Sequence, residues 1–289
     1  MKQLLLVIGI ILCAVSQVSA VTNRPFPRVN PSVPVATTAA TFRFTVFGDF
    51  RPAGADEPYP PQFRQVLDAM KAESPAFAVS VGDAWFGYGG TMAHYRGEVA
   101  QFLALVKGWG IPLHNVIGNH EVTASSERER YLRERLGNLY GSFDHGRAHF
   151  ICLDTDEVGD EGRIAGEQLR WLKRDLERNR GATATFVFLH RPLFSPKDPD
   201  LAQKRSFSDR VNRDALHQLL VRYKVAAVFA GHDHLYEERV VDGIRYYITG
   251  GGGAPLYELP DKGGFYHYLV VTVRGKKAEI EVRRLPDRP

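Results

Sequence analysis

The sequence predicts an α/β domain over residues 41–289, built as two mixed β-sheets packed as a sandwich with flanking helices. Two observations predict it. Apolar runs of strand length alternate with amphipathic stretches at helical spacing from residue 42 to residue 230, the pattern of layered α/β folds with parallel strand units. Hairpin-like, β-rich sequence also appears, in the middle and again at the end, so parallel units and antiparallel pairs must both be housed. With no internal repeat and no break in composition after residue 41, a single domain accounts for the whole stretch.

The elements follow in order. Residues 42–47 read as the first strand, and 61–73 as a helix, with Phe63, Val66, Leu67 and Met70 at helical spacing. A strand at 77–81, a helix around 94–107, a strand at 113–117 and a charged helix near 127–136 come next. Residues 140–147 and 148–153 read as two strands joined by a turn containing Gly146, a hairpin. The stretch 166–179 places Leu169, Trp171, Leu172 and Leu176 on one helical face, before a strand at 185–189, a helix at 208–223 and a strand at 225–230. Residues 239–249 and 268–284 are β-rich. Between them lies Gly250-Gly251-Gly252-Gly253, which reads as a tight loop near the site; no Lys-Ser/Thr follows it, so it is not a phosphate loop.

A chain of 289 residues, 44% hydrophobic and 24% charged, has the composition of a globular protein. Its net charge of +4 suits an anionic substrate and is too weak to argue for nucleic acid. Lys2, the apolar stretch 4–15 and Val18-Ser19-Ala20 read as a secretory signal over residues 1–20, which implies a secreted or periplasmic protein. That stretch is shorter than the roughly 20 residues a membrane helix needs, so no membrane span is expected after cleavage. Residues 21–40, with prolines at 25, 27, 31 and 34, read as an extended linker with no fold. Cys152 is the one cysteine left after cleavage; it lies in an apolar stretch and reads as a small buried hydrophobe.

Five polar clusters sit where apolar strands end: Gly48-Asp49, Gly82-Asp83, Gly118-Asn119-His120-Glu121, His190, and Gly231-His232-Asp233-His234. Ligands bind at the carboxyl ends of strands in open α/β sheets. The residue types, carboxylates with an amide and imidazoles, suit a hard or borderline divalent metal such as Mn, Fe, Zn or Mg. Glycine directly precedes Asp49, Asp83, Asn119 and His232, which is expected to let the backbone turn sharply at each strand end. A lone Gly-Asp pair is mostly turn chemistry. Five such clusters in this order are a strong signal.

In that order the clusters resemble those of the calcineurin-like metallophosphoesterases, with the likeness running through most of residues 42–257. The resemblance implies that fold and a pair of divalent or trivalent metal ions. It makes Asp83 the carboxylate that bridges them, with Asn119, His190 and His232 completing one shell and Asp49 and His234 the other. It places His120 beside the substrate as an acid or electrostatic helper, and it implies in-line attack on phosphorus by a metal-activated water.

Two positions depart from the family pattern. Where the first block carries a histidine two residues after its aspartate, this chain has Arg51; where the purple acid phosphatase branch carries a tyrosine three residues after the second aspartate, it has Phe86. The first metal would keep three protein ligands in a weaker site, without a tyrosinate-bound ferric ion. Arg51 is a candidate to grip a phosphate oxygen, the alternative being a salt bridge to a ligand carboxylate or contact with solvent. The expected function is hydrolysis of phosphate esters, foremost monoesters, of a small phosphorylated substrate. A phosphodiesterase or nucleotide hydrolase on the same scaffold and a degenerate, non-catalytic metal or phosphate binder are the alternatives. The histidines at 94, 114, 145, 149, 217 and 267 read as packing or surface residues, with His114 and His149 as candidates to orient ligands.

Overall fold

In a computed structural model, residues 24–32, 41–196, 206–207 and 209–286 are described. The segment read as a secretory signal lies outside them. The first sheet has five strands in the order β11(Lys277–Arg284), β10(His267–Arg274), β1(Thr41–Phe47), β2(Phe77–Ser80) and β3(Leu113–Asn115). The second has six, in the order β4(Gly141–His145), β5(Ala148–Cys152), β6(Thr185–Phe188), β7(Ala227–Ala230), β9(Ile244–Thr249) and β8(Tyr236–Val241). Both sheets are mixed. β1, β2 and β3 run parallel, as do β5, β6, β7 and β9, while the hairpins β4–β5, β8–β9 and β10–β11 close the edges antiparallel.

Four layers follow from which side chains each strand sends to each face. Alternate residues of β1 and β2 (Phe42, Phe44, Val46; Phe77, Val79) meet Phe150 of β5, Phe186 and Phe188 of β6 and Phe229 of β7 in a core between the sheets. Phe44 stacks on Phe77 at 5.3 Å and meets Phe150 edge-on at 5.3 Å. The interleaved residues face outward but are also covered. α1(Pro61–Ala72) and α2(Met92–Trp109) lay Phe63, Met70, Tyr95 and Phe102 over Phe47 and Ala78. On the other side α5(Gly166–Arg178) and α6(Arg210–Arg222) lay Trp171, Leu172, Leu216 and Leu220 over Ile151, Val187 and Val228. Strands buried on both faces are apolar throughout, which is why the sequence shows them as unbroken runs. Cys152 lies within the inter-sheet core, and burial pushes its thiol well above its usual range. Among the described residues no helix is long and apolar enough to cross a membrane.

The proline-rich segment is extended at 24–28 and turns at 29–32, and it does not stand apart from the fold as a linker would. At 24–32 it straps the outer strands of both sheets together. Phe26 N–H donates to Ser142 of β4 at 2.9 Å and Val29 N–H donates to Leu113 of β3 at 2.9 Å. Asn30, 3% exposed, donates to the carbonyls of Val106 (3.2 Å) and Ile111 (2.7 Å) and accepts from Leu113 N–H (2.9 Å). Losing that side chain strands buried backbone groups, each costing about 1–3 kcal/mol. Asn30→Ala is therefore expected to lower stability by about 2–4 kcal/mol, read as a shift in the urea midpoint at unchanged slope.

His149 lies in the second sheet, between two carboxylates: its Nδ1 is 2.7 Å from Asp144 and its Nε2 is 2.7 Å from Asp175, which also accepts from Ser142 Oγ at 3.0 Å. Burial alone would depress this imidazole, but the bonds to Asp175 and Asp144 outweigh it and hold His149 above its ordinary value. A raised folded value means that the charged triad stabilises fully below about pH 6.5 and fades as pH rises through the folded value. The stability gap between the native chain and His149→Gln is expected to narrow from pH 5.5 to pH 8.5. Parallel urea titrations check it; a gap independent of pH would mean that His149 is not charged in the fold.

Candidate metal centre

All five clusters emerge at the carboxyl ends of parallel strands: Asp49 beyond β1, Asp83 beyond β2, Asn119 beyond β3 at the start of the short helix α3(Asn119–Val122), His190 beyond β6 and His232 and His234 beyond β7. The two sheets therefore aim their strand ends into one place. Asp49 is fully buried, as is His190, and Asp83 (2%) and His234 (3%) nearly so.

The turns are built differently from the expectation. Of the glycines that precede these residues only Gly82 is left-handed (φ +98°). Asp49 (φ 57°), Asp83 (φ 58°) and His232 (φ 69°) carry the left-handed backbone themselves, a conformation that costs an ordinary residue about 1–3 kcal/mol. The other glycines serve close approach. A Cβ on Gly118 would lie 2.5 Å from Asp83 Oδ1, and one on Gly231 would lie 2.3 Å from Asp49 Oδ2. The 250–253 run does lie beside the site: Gly252 N–H donates to Gly48 O and Ala254 N–H to Asp49 O, both at 2.9 Å.

The predicted ligands fall into two groups that share Asp83. In one, His190 donates Nδ1–H to the Val81 carbonyl (2.8 Å), which turns Nε2 inward. That nitrogen lies 3.1 Å from Asn119 Oδ1, 3.1 Å from His232 Nδ1 and 3.3 Å from Asp83 Oδ1. In the other, His234 donates Nδ1–H to Pro255 O (2.6 Å) and turns Nε2 to within 3.4 Å of Asp49 Oδ1. One ligand atom from each of Asp49, Asp83 and His234 falls within 4.8 Å of the others, with Asp49 further held by His232 N–H at 2.9 Å.

Two imidazole nitrogens and two oxygens thus converge on one another. Burial would depress His190, yet Asp83 and Asp49 raise it to about 9, so that an imidazolium stands where these groups call for positive charge. Burial and the neighbouring His190 push His232 well down. Burial would raise Asp83, but His190, His120, His232 and Arg51 together hold it well below the usual carboxylate range. Oxygen and imidazole donors gathered around shared negative charge fit a hard or borderline divalent cation.

His120 stands beside this set. Its Nδ1 is 2.5 Å from Phe86 O, its N–H reaches Asp83 Oδ1 at 3.1 Å, and its Nε2 faces Asp83 Oδ2 at 3.8 Å. Arg51 is 8% exposed, with Nη1 on Pro52 O at 3.0 Å and a buried Nε that has no hydrogen-bond partner. Its guanidinium lies 5.9 Å from the Phe86 ring, so the residues at the two departing positions face one another. His114 and His149 do not orient ligands: His114 bonds to Pro27 O and stacks on Phe143, and His149 belongs to the triad above.

Glu121 is a residue whose role the sequence reading missed. Fully buried, it accepts from Asp83 N–H (3.0 Å), Ala84 N–H (2.6 Å) and Gly118 N–H (2.8 Å), and so ties the turn carrying Asp83 to the turn carrying Asn119. Burial and Asp83 push it up to about 8, against the pull of the Ala84 and Gly118 N–H groups. A glutamate at the third helical position after Gly118 is the half of a capping box that could have flagged it.

The family model for calcineurin-like phosphoesterases matches residues 42–236. The chain belongs to the calcineurin-like phosphoesterase family. Purple acid phosphatase 23 of Arabidopsis thaliana is 31% identical to this phosphoesterase over 141 residues, covering 44% of this chain and 29% of the relative. Among solved structures, a purple acid phosphatase from yellow lupin (Lupinus luteus) seeds superposes with a TM-score of 0.67 at 19% identity, over 87% of this chain and 52% of that one. A dimetal phosphatase from Danio rerio superposes with a TM-score of 0.64 at 16% identity, over 84% and 96%. The likeness to both supports the two-sheet α/β fold. The chain spans less than half the length of the curated relatives it matches.

Proposed function

We propose that this phosphoesterase hydrolyses phosphate monoesters of small molecules, with one metal ion held by Asp83, Asn119, His190 and His232 and a second by Asp49, Asp83 and His234. The convergence of Asn119 Oδ1, His232 Nδ1 and Asp83 Oδ1 on His190 Nε2 within 3.3 Å carries this reading, because it gathers oxygen and imidazole donors around one point that a metal ion could take in place of the His190 proton. Such ions supply Lewis acidity and an activated water at neutral pH. The chain's own residues do the rest. The Val81 and Pro255 carbonyls fix which nitrogen His190 and His234 present inward, a positioning typically worth 10–100-fold in affinity or activity. His120, anchored by Nδ1–H on the Phe86 carbonyl, would protonate the leaving oxygen from Nε2 as its imidazolium, a form that burial disfavours and the neighbouring Asp83 carboxylate favours. Arg51, with Nε unpaired, grips a phosphoryl oxygen, and a buried guanidinium favours the dianion of a monoester over the monoanion of a diester. Residues 1–20 would direct the chain to a secreted or periplasmic location.

Exhaustive chelation is expected to abolish hydrolysis of para-nitrophenyl phosphate, and readdition of Mn, Zn, Fe or Mg to restore it. The bis ester should turn over more slowly. Full activity after chelation would overturn the metal reading, a faster rate on the diester would overturn the monoester assignment, and metal binding without turnover of any phosphoester would mark a binding protein.

A further inference from the structure

Two large apolar side chains left exposed by the fold stand on the centre itself. Tyr88 is 42% exposed and Tyr257 51%, while Val211, Val240 and Val282 lie elsewhere on helix and edge-strand surfaces and Leu259 lies in the loop after Tyr257. Tyr88 meets the His120 ring edge-on at 4.6 Å, and its hydroxyl oxygen accepts from Asn119 Nδ2 at 3.2 Å. Tyr257 stacks face to face on His234 at 4.4 Å. The centre therefore has an open aromatic ring at its Asn119–His120 end and another at its His234 end.

Neither ring is a loose surface side chain. Tyr88 sits in a glycine loop whose Gly87 is left-handed (φ +73°), and a Cβ there would lie 1.8 Å from His120 O. Glu98 holds Gly87 N–H at 3.2 Å, while Arg128 donates to the carbonyls of Gly87 and Gly89 and to Thr123 Oγ1. Tyr257 follows Pro255, whose carbonyl orients His234. Rings held rigidly and exposed beside a reaction centre lose little entropy on binding and offer stacking that is worth most to a planar apolar group.

We propose that Tyr88 and Tyr257 form the leaving-group walls of this site, and that the preferred substrates are phosphate monoesters of planar aromatic alcohols rather than of small polyols. The inference rests on the phosphatase reading. In the reaction the water oxygen bonds to phosphorus, the ester P–O bond breaks, and the aryl oxide takes up a proton to leave as the phenol beside inorganic phosphate.

The test compares kcat/KM for phenyl phosphate with kcat/KM for glycerol phosphate, as a ratio within each variant so that intrinsic reactivity cancels. Tyr88→Ala and Tyr257→Ala are each expected to lower that ratio by about three- to tenfold. Tyr88→Phe and Tyr257→Phe, which keep the rings, should retain it. Metal content per chain, measured on every variant, separates loss of a wall from disturbance of Asn119 or His234. An unchanged ratio in both alanine variants of an active enzyme overturns the aromatic-wall inference and leaves the phosphatase reading standing. Hydrolysis of neither ester by the native metal-loaded chain overturns both.

Discussion

Asp83→Asn is expected to lower turnover of a phosphate monoester by about a thousandfold or more, corresponding to about 4 kcal/mol of transition-state stabilisation. Asp83 is the residue common to both groups, 3.3 Å from His190 Nε2 and 3.8 Å from His120 Nε2, and it stands with Asp49 and His234 in the three-residue cluster. The substitution keeps the shape and an oxygen that can accept the His120 N–H bond of 3.1 Å. It removes one of two buried carboxylates that together balance His190 and Arg51. Metal content should fall along with turnover while the fold survives, since Glu121 still ties the 83 and 118 turns together through backbone donors. Elemental analysis, steady-state kinetics and thermal unfolding on one preparation check all three. Near-native metal content and turnover would show that Asp83 is not the shared ligand.

The strand-end clusters were legible because their signal is local: an apolar run buried in the fold, then a polar residue, with a glycine between them everywhere but at His190. That pattern located Asp49, Asp83, Asn119, His190, His232 and His234, and the fold brings all six together. Glu121 was not legible as a brace, because its partners are three backbone N–H groups that become available only once two turns from different strands meet. The left-handed backbone at Asp49, Asp83 and His232 was hidden for the same reason. Glycine was expected to take the strain, whereas the glycines mainly clear space against neighbours such as Val81 and Asp83. Residues 24–32 read as linker from their prolines, and there composition misleads. Two buried side chains, Phe26 and Asn30, together with backbone hydrogen bonds to β3 and β4, dock the strap, and neither side chain makes a periodic pattern.

Arg51 and Phe86 bring the last prediction. The guanidinium and ring face each other at 5.9 Å where the family pattern would offer further ligands, so a positive charge that bears on Asp83 stands in place of a donor. That charge helps to keep Asp83 ionised but competes with a metal ion for it, since like charges close together in a buried site repel strongly. Arg51→His should therefore raise the metal content of the chain at limiting metal concentration, by removing the repulsion and supplying an imidazole. The same substitution should weaken phosphate binding, because a charge-assisted hydrogen bond of about 1.5–3 kcal/mol is lost, which is about tenfold or more in KM. Arg51→Ala separates the two effects: KM and the inhibition constant for inorganic phosphate rise as in the histidine variant, without an added metal ligand. If Arg51→Ala leaves both constants unchanged, the guanidinium does not touch phosphate. A gain in metal content in Arg51→Ala would then point to electrostatic control of metal binding at this position, whereas a gain in Arg51→His alone would point to the added imidazole.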